Sequence, residues 1–307
     1  ARGASGRRWG VRGASRQPGV VKTVVGPRPS RGPWCALGIK SLIPNVHTHT
    51  RSFGQGPRRA LAIHCSLAHS GSLTGLMGAL SDQLTAIAYD LPSHGKSSDW
   101  DGTGDLHDVA TNMGRALLTE PMDLIGHSFG ATVAMRLGME HPELVRSLTM
   151  IEPVYFAPAV ADYPDEMFAA LGVNEEFNSA WTAGDRETAA RCFNSVWGDG
   201  TKWADFSPRA RSYMVDRIHF VVGSAPFLEE DSAGLLKNDM FARATMPSLL
   251  IKGGASNEVA DFINEAIARR LLDTTSASIE GAGHMAPLTH PEQVADVIRA
   301  FLGGLEE

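Results

Sequence analysis

Cysteine is scarce in this 307-residue chain, and the three present, Cys35, Cys65 and Cys192, are odd in number. That excludes a complete disulfide framework and fits a reducing compartment. Uninterrupted apolar runs long enough to span a bilayer are also missing, so no membrane partner is expected. Acid is absent from the opening: no Asp or Glu precedes Asp82, while arginines crowd the Gly-, Ser- and Pro-rich stretch from Arg2 to Arg31. Residues 1–44 are therefore expected to be a basic, disordered N-terminal extension without fold. It reads as an acid-poor targeting peptide, a basic tail, or upstream sequence translated ahead of the natural start. The expected location is cytoplasmic, with organelle targeting by this extension left open. A formal charge of -6 argues against nucleic acid as a partner, and no helix-turn-helix, zinc-finger or aromatic-basic constellation reopens the question.

A hydrophobic fraction of 43% suits a globular chain that buries a substantial core. From Asn45 the texture changes. Val46-His-Thr-His-Thr50 alternates like an edge strand, and its His47 and His49 lack a third ligand nearby, so no metal is assigned. Ala60–Ile63 and Thr85–Asp90 read as buried strands, the second stopped by Pro92. Asp105–Leu118 carries helical spacing in Leu106, Val109, Met113, Ala116 and Leu117. A strand over Asp123–His127, a helix over Ala131–Glu140 and a strand over Val145–Ile151 follow. Alternating strands and helices with short glycine-bearing links predict a mostly parallel, doubly wound α/β sheet covered on both faces.

Between Val154 and Met246 the alternation breaks into mostly helical sequence with Trp181, Phe193, Trp197, Trp203 and Phe220. Lying between two strands, it predicts an inserted helical cap at about 154–246 in a domain of residues 45–307, its aromatics mainly packing the cap itself. The alternation then resumes with a strand at Pro247–Ile251, a helix at Glu258–Leu272, a strand at Ser276–Ile279 and a closing helix at Pro291–Leu302.

The chemistry gathers at strand ends, where such sheets bind ligands. Asp123-Leu-Ile-Gly-His-Ser-Phe-Gly130 runs a buried strand into a tight turn, with Ser128 bracketed by Gly126 and Gly130 in a G-x-S-x-G pattern. A serine hydroxyl needs a base within hydrogen-bond reach and a third group to orient that base. The best base is His284, in the loop Gly281-Ala-Gly-His-Met285 after the final strand. His127, next to the serine, should point elsewhere. His64 and His94 read as residues that hold loop backbone at strand ends, and His290 as a surface or helix-entry residue.

These segments together resemble the α/β-hydrolase superfamily. His64-Cys65-Ser66 stands where that family has its His-Gly oxyanion segment, Asp90–Ser97 matches D-x-P-G-H-G-x-S, Gly126–Gly130 is similar to the nucleophile elbow, and Gly281–His284 resembles the G-x-G-H loop. The resemblance runs from about Pro57 to Leu302. It implies Ser128 as nucleophile, His284 as general base, and the amides of Phe129 and Ser66 as the oxyanion hole. Ser93 and Cys65 replace usual glycines. The larger departure concerns the acid: where the family has Gly-x-x-Asp after the strand, this chain has Gly253-Gly-Ala-Ser256. Glu152, ending the preceding strand, is the leading candidate. Glu258 and Asp261, and the uncharged Ser256 and Asn257, remain open beside it.

The expected function is a serine hydrolase cleaving a small ester or related acyl substrate through an acyl-enzyme, without cofactor or metal. A small-molecule substrate is the expected partner, and a homo-oligomer is left open. Two alternatives stand: a carbon–carbon bond hydrolase of the capped group, or a catalytically weak ligand-binding pseudoenzyme that has let its acid go.

Overall fold

In a computed structural model of the chain, residues 21–24, 46–171 and 175–305 are described. Strands β1 (Val21–Val24), β2 (Thr50–Phe53), β3 (Arg58–Ile63) and β4 (Leu84–Tyr89) come first, with helix α1 (Thr74–Ala79) between the last two. Helix α2 (Leu106–Arg115), strand β5 (Met122–His127), helix α3 (Phe129–Glu140) and strand β6 (Val145–Ile151) follow. The sheet order is β1-β8-β7-β6-β5-β3-β4-β2, completed by β7 (Ser248–Gly253) and β8 (Asp273–Ile279). Strands β3 to β8 pair in parallel, and the two edge strands, β1 and β2, run antiparallel.

Strand alternation sends side chains to two separate cores. Leu61, Ile63 and Leu124 face one cluster with α2 and α3, whereas Ala60, Ala62 and Ile125 face the other with α1. Helix α9 (Glu258–Ala268) joins the first face and α11 (Pro291–Gly303), preceded by the short α10 (Ala286–Thr289), joins the second. The doubly wound α/β class expected from the sequence is the observed one.

A helical insertion lies between β6 and β7. It consists of α4 (Phe156–Asp162), α5 (Pro164–Leu171), α6 (Glu175–Thr182), α7 (Arg186–Trp197) and α8 (Pro208–Leu228). Part of it has its own small core around Ala180, Ala189, Ala190 and Ile218, against which Trp181, Phe193 and Trp203 pack.

Two expectations need correction. The edge strand falls at Thr50–Phe53 rather than Val46–Thr50, because the backbone of His47 and His49 bonds instead to Ser97, Ser98 and Asp90. Within the extension expected to lack fold, Val21–Val24 forms a strand on the free edge of β8, with Val21 opposite Ser276 and Val24 opposite Asp273. A valine- and threonine-bearing segment satisfies the exposed ladder groups of an edge. The remainder of residues 1–44 lies outside the described residues. Among the described residues no helix is long and apolar enough to cross a membrane.

Candidate active site

The turn after β5 forms as it does because two glycines let backbone meet backbone. A Cβ on Gly126 would stand 2.3 Å from the carbonyl oxygen of Gly130, and one on Gly130 would stand 2.3 Å from that of Ile63. Only hydrogen fits at either place, so α3 packs directly onto β5 and β3. The strain falls on Ser128, held at φ 56° in the left-handed region, with its amide donating to Ile151 O at 2.8 Å. Ser128 is buried and stands at the N-cap position of α3, its side chain making no capping hydrogen bond there.

His284 reaches this turn from the loop after β8. Glu152 Oε2 lies 3.0 Å from His284 Nδ1, and Ser128 Oγ lies 2.9 Å from His284 Nε2. A carboxylate accepts only, so Nδ1 carries the proton and Nε2 is free to accept from the serine hydroxyl. The other oxygen, Glu152 Oε1, accepts from the Gly253 amide at 2.5 Å and from Ser256 Oγ at 2.8 Å. Burial alone would raise the Glu152 pKa. The hydrogen bond and charge of His284, with the donors Gly253 and Ser256, outweigh it and hold the carboxyl below its usual range.

Of the residues weighed for the third position, Glu152 is therefore the one beside the imidazole. Ser256 contacts Glu152 itself. Asn257 caps α9 by accepting from Ala260 N, Glu258 is exposed on the first turn of that helix, and Asp261 pairs with Lys252.

The neighbouring histidines hold backbone. His64 donates from Nδ1 to Cys65 O at 2.7 Å and accepts the Leu91 amide at Nε2. His94 donates to Pro92 O at 2.8 Å and accepts the Leu67 amide. Desolvation pushes His64 down to about 4 and His94 well below its ordinary value, so both stay neutral. His127 donates from Nε2 to the carbonyl of His284 at 2.9 Å, which braces the loop that carries the imidazole. Phe129 is fully buried at the start of α3, and Ser66 is half-buried in the turn after β3.

Sequence reasoning missed one contact. Trp197, expected to pack within the insertion, stands edge-to-face on His284 with ring centroids 4.9 Å apart and also meets Phe156. Its only signal in the sequence is that of one aromatic among several in a mostly helical stretch, which does not tell interior from site. Among the described residues, no group of three or more His, Cys, Asp or Glu is placed to hold a metal ion.

Residues 60–297 match the sequence profile of the alpha/beta hydrolase family. The chain belongs to that family. Among alpha/beta hydrolase relatives, it is 27% identical over 263 residues to a pimeloyl-[acyl-carrier protein] methyl ester esterase of Aeromonas hydrophila, covering 82% of this chain and 97% of the esterase. It is 25% identical to the lipase LipV of Mycobacterium tuberculosis, over 84% of this chain and 98% of that one. A bromoperoxidase from Bacillus anthracis superposes with a TM-score of 0.65 at 20% identity, over 86% of this chain and 98% of the other, a likeness of fold alone.

Proposed function

We propose that this alpha/beta hydrolase cleaves a small carboxylic ester through an acyl-enzyme, with Ser128 as nucleophile, His284 as general base and Glu152 as the orienting acid. One observation carries the reading: the unbroken relay from Glu152 Oε2 through His284 to Ser128 Oγ, at 3.0 and 2.9 Å. The ester-cleaving names of the esterase and lipase relatives support the substrate class.

In this reading the turn at Ser128 is a nucleophile elbow. Ser128 Oγ attacks the ester carbonyl as His284 Nε2 takes its proton. Glu152 stabilises the imidazolium that forms and keeps the proton-bearing nitrogen on its own side. The amides of Phe129, at the positive end of α3, and of Ser66 receive the developing oxyanion. His284 then returns the proton to the departing alcohol. Water attacks the acyl-enzyme by the same base in the second half-reaction. Helices α4 to α8 act as a cap over the strand ends at about residues 154–246, excluding water and limiting access. The pseudoenzyme alternative drew on a missing acid, and a carboxylate 3.0 Å from His284 supports the hydrolase reading over it.

The test is labelling with a fluorophosphonate together with turnover of p-nitrophenyl butyrate, in the unaltered protein and in Ser128→Ala. Both should vanish in the variant. Labelling or turnover that survives Ser128→Ala overturns the reading.

A further inference from the structure

The segment Ser66–Ala68 is gripped from two directions, and one grip comes from the helical insertion. Leu67 sits at φ 58°, a left-handed conformation that is uncommon for a branched residue and persists only where the surroundings over-determine it. That backbone sends its side chain into the insertion's own core, against the cluster around Ile218 to which Met214 and Val215 of α8 also pack. On the next residue, Tyr213 of α8 donates its hydroxyl proton to Ala68 O at 2.7 Å. The Tyr213 hydroxyl oxygen itself accepts the Gly95 amide at 2.9 Å, so both hydrogen-bonding functions of the phenol are spent on bridging two loops. Arg217, one turn further along α8, stacks on the Tyr213 ring and fixes its plane.

The second loop leads back to the first. His94, next to Gly95, accepts the Leu67 amide at 2.9 Å, and its ring meets Phe220 of α8 edge-to-face at 4.5 Å. Ser93 Oγ lies 3.3 Å from Nε2 of His219, also on α8. Tyr213 and Phe220, seven residues apart, share the helix face that covers both loops. The turn bearing Ser66 is thus fastened to α8 at a side chain, at a carbonyl and through His94.

We propose that Tyr213 and Leu67 are positioning residues that tie the Ser66 amide to α8, so that the seating of the helical insertion sets the oxyanion geometry. This rests on the reading of Ser66 as an oxyanion donor. An insertion displaced from the strand ends carries Leu67 and Ala68 with it and withdraws the Ser66 amide, so that attack is efficient only when α8 is seated. Transition-state stabilisation and access to the site are then set by one helix.

Steady-state hydrolysis of p-nitrophenyl butyrate by Tyr213→Phe, which keeps the ring, and by Leu67→Ala tests the coupling. An interaction made only in the transition state lowers kcat and leaves KM in place. Removing an oxyanion donor outright costs about 100-fold or more, so a displaced donor should cost about tenfold in kcat, with KM within about twofold. Inhibition by an alkyl trifluoromethyl ketone, whose serine adduct places an oxyanion in the same hole, should weaken by a similar factor. A mere loosening of the insertion would raise KM and leave that parallel unmet. Unchanged kcat in both variants, or a loss of kcat without weaker ketone binding, overturns the inference. If Ser128→Ala is inactive in the same assay while both variants behave as the parent, this inference alone fails. Turnover surviving Ser128→Ala would fail the serine-hydrolase reading instead.

Discussion

The hydroxyl of Ser256 donates to Glu152 Oε1 at 2.8 Å, from the place after β7 where the family pattern carries its acid. The loop that usually supplies the carboxylate here anchors one supplied by the neighbouring strand. The Gly253 amide donates to the same oxygen, which leaves Oε2 for His284. A hydrogen bond to a charged group contributes about 1.5 to 3 kcal/mol, and with Gly253 remaining the lower end applies. Ser256→Ala is expected to lower kcat/KM about tenfold for p-nitrophenyl butyrate. A parent-like rate would mean that Gly253 alone orients Glu152.

Glu152→Gln removes the charge and keeps the shape. A triad with a neutral amide in the acid's place loses about four orders of magnitude in kcat, because the imidazole is held in the wrong tautomer. The variant should show a loss of that order, and adding Ser256→Asp, which restores a carboxylate at the family's usual position, should recover at least about tenfold of it. A Glu152→Gln enzyme within about tenfold of the parent would remove Glu152 from the relay.

Much of this site is legible in the chain. Gly126, Ser128 and Gly130 declare the turn by local sterics, and the glycine loop of His284 can be read because its place after the last strand is a matter of order. His64 and His94 are readable as backbone holders for the same reason: His64 directly follows β3, and His94 lies in the turn that follows β4. The acid is different. Glu152 meets Gly253 only because β6 and β7 are neighbours in the sheet, so its place at a strand end makes it the leading candidate in the sequence without showing that it reaches His284. Trp197 and Tyr213 lie in the insertion, where helical periodicity identifies a packed face without saying what it packs against. The strand at Val21–Val24 was hidden for a related reason: four residues fold there only because β8 offers an open edge.

Stability should fall on the acid side well before the carboxylates titrate. Burial depresses His64 to about 4 and, with the adjacent His284, His127 to about 3; desolvation likewise holds His94 and His107 well below 6.5. Unfolded, each titrates near the ordinary value of 6.5. Above that value neither state is protonated and nothing is lost. As pH falls from there towards the folded values, the unfolded chain takes up protons that the folded chain refuses, and stability declines. At about pH 5 the loss is about 2 kcal/mol for each of His64 and His127. Glu152, depressed in the fold, adds a further loss only as pH falls below its ordinary 4.5. The urea midpoint should therefore drop between about pH 7.5 and pH 5. An unchanged or rising midpoint would contradict the buried, neutral state of these rings.

Trp197 offers a test of how far the insertion takes part in the chemistry. Its ring lies at 69° to that of His284 with centroids 4.9 Å apart, while Phe156 supports it from behind at 6.0 Å. Edge-to-face contacts of this kind contribute about 0.5 to 1.5 kcal/mol beyond the area they bury. In the proposed reaction the same contact would hold the imidazole that takes the proton of Ser128. Trp197→Ala should free the ring to turn away from Ser128 Oγ and lower kcat/KM about tenfold, whereas Trp197→Phe, which keeps an aromatic wall, should stay within about threefold of the parent. Equal losses in the two variants would show that an aromatic wall is not enough and that the indole itself is required. No loss in either would mean that Glu152 and His127 alone hold His284 in place.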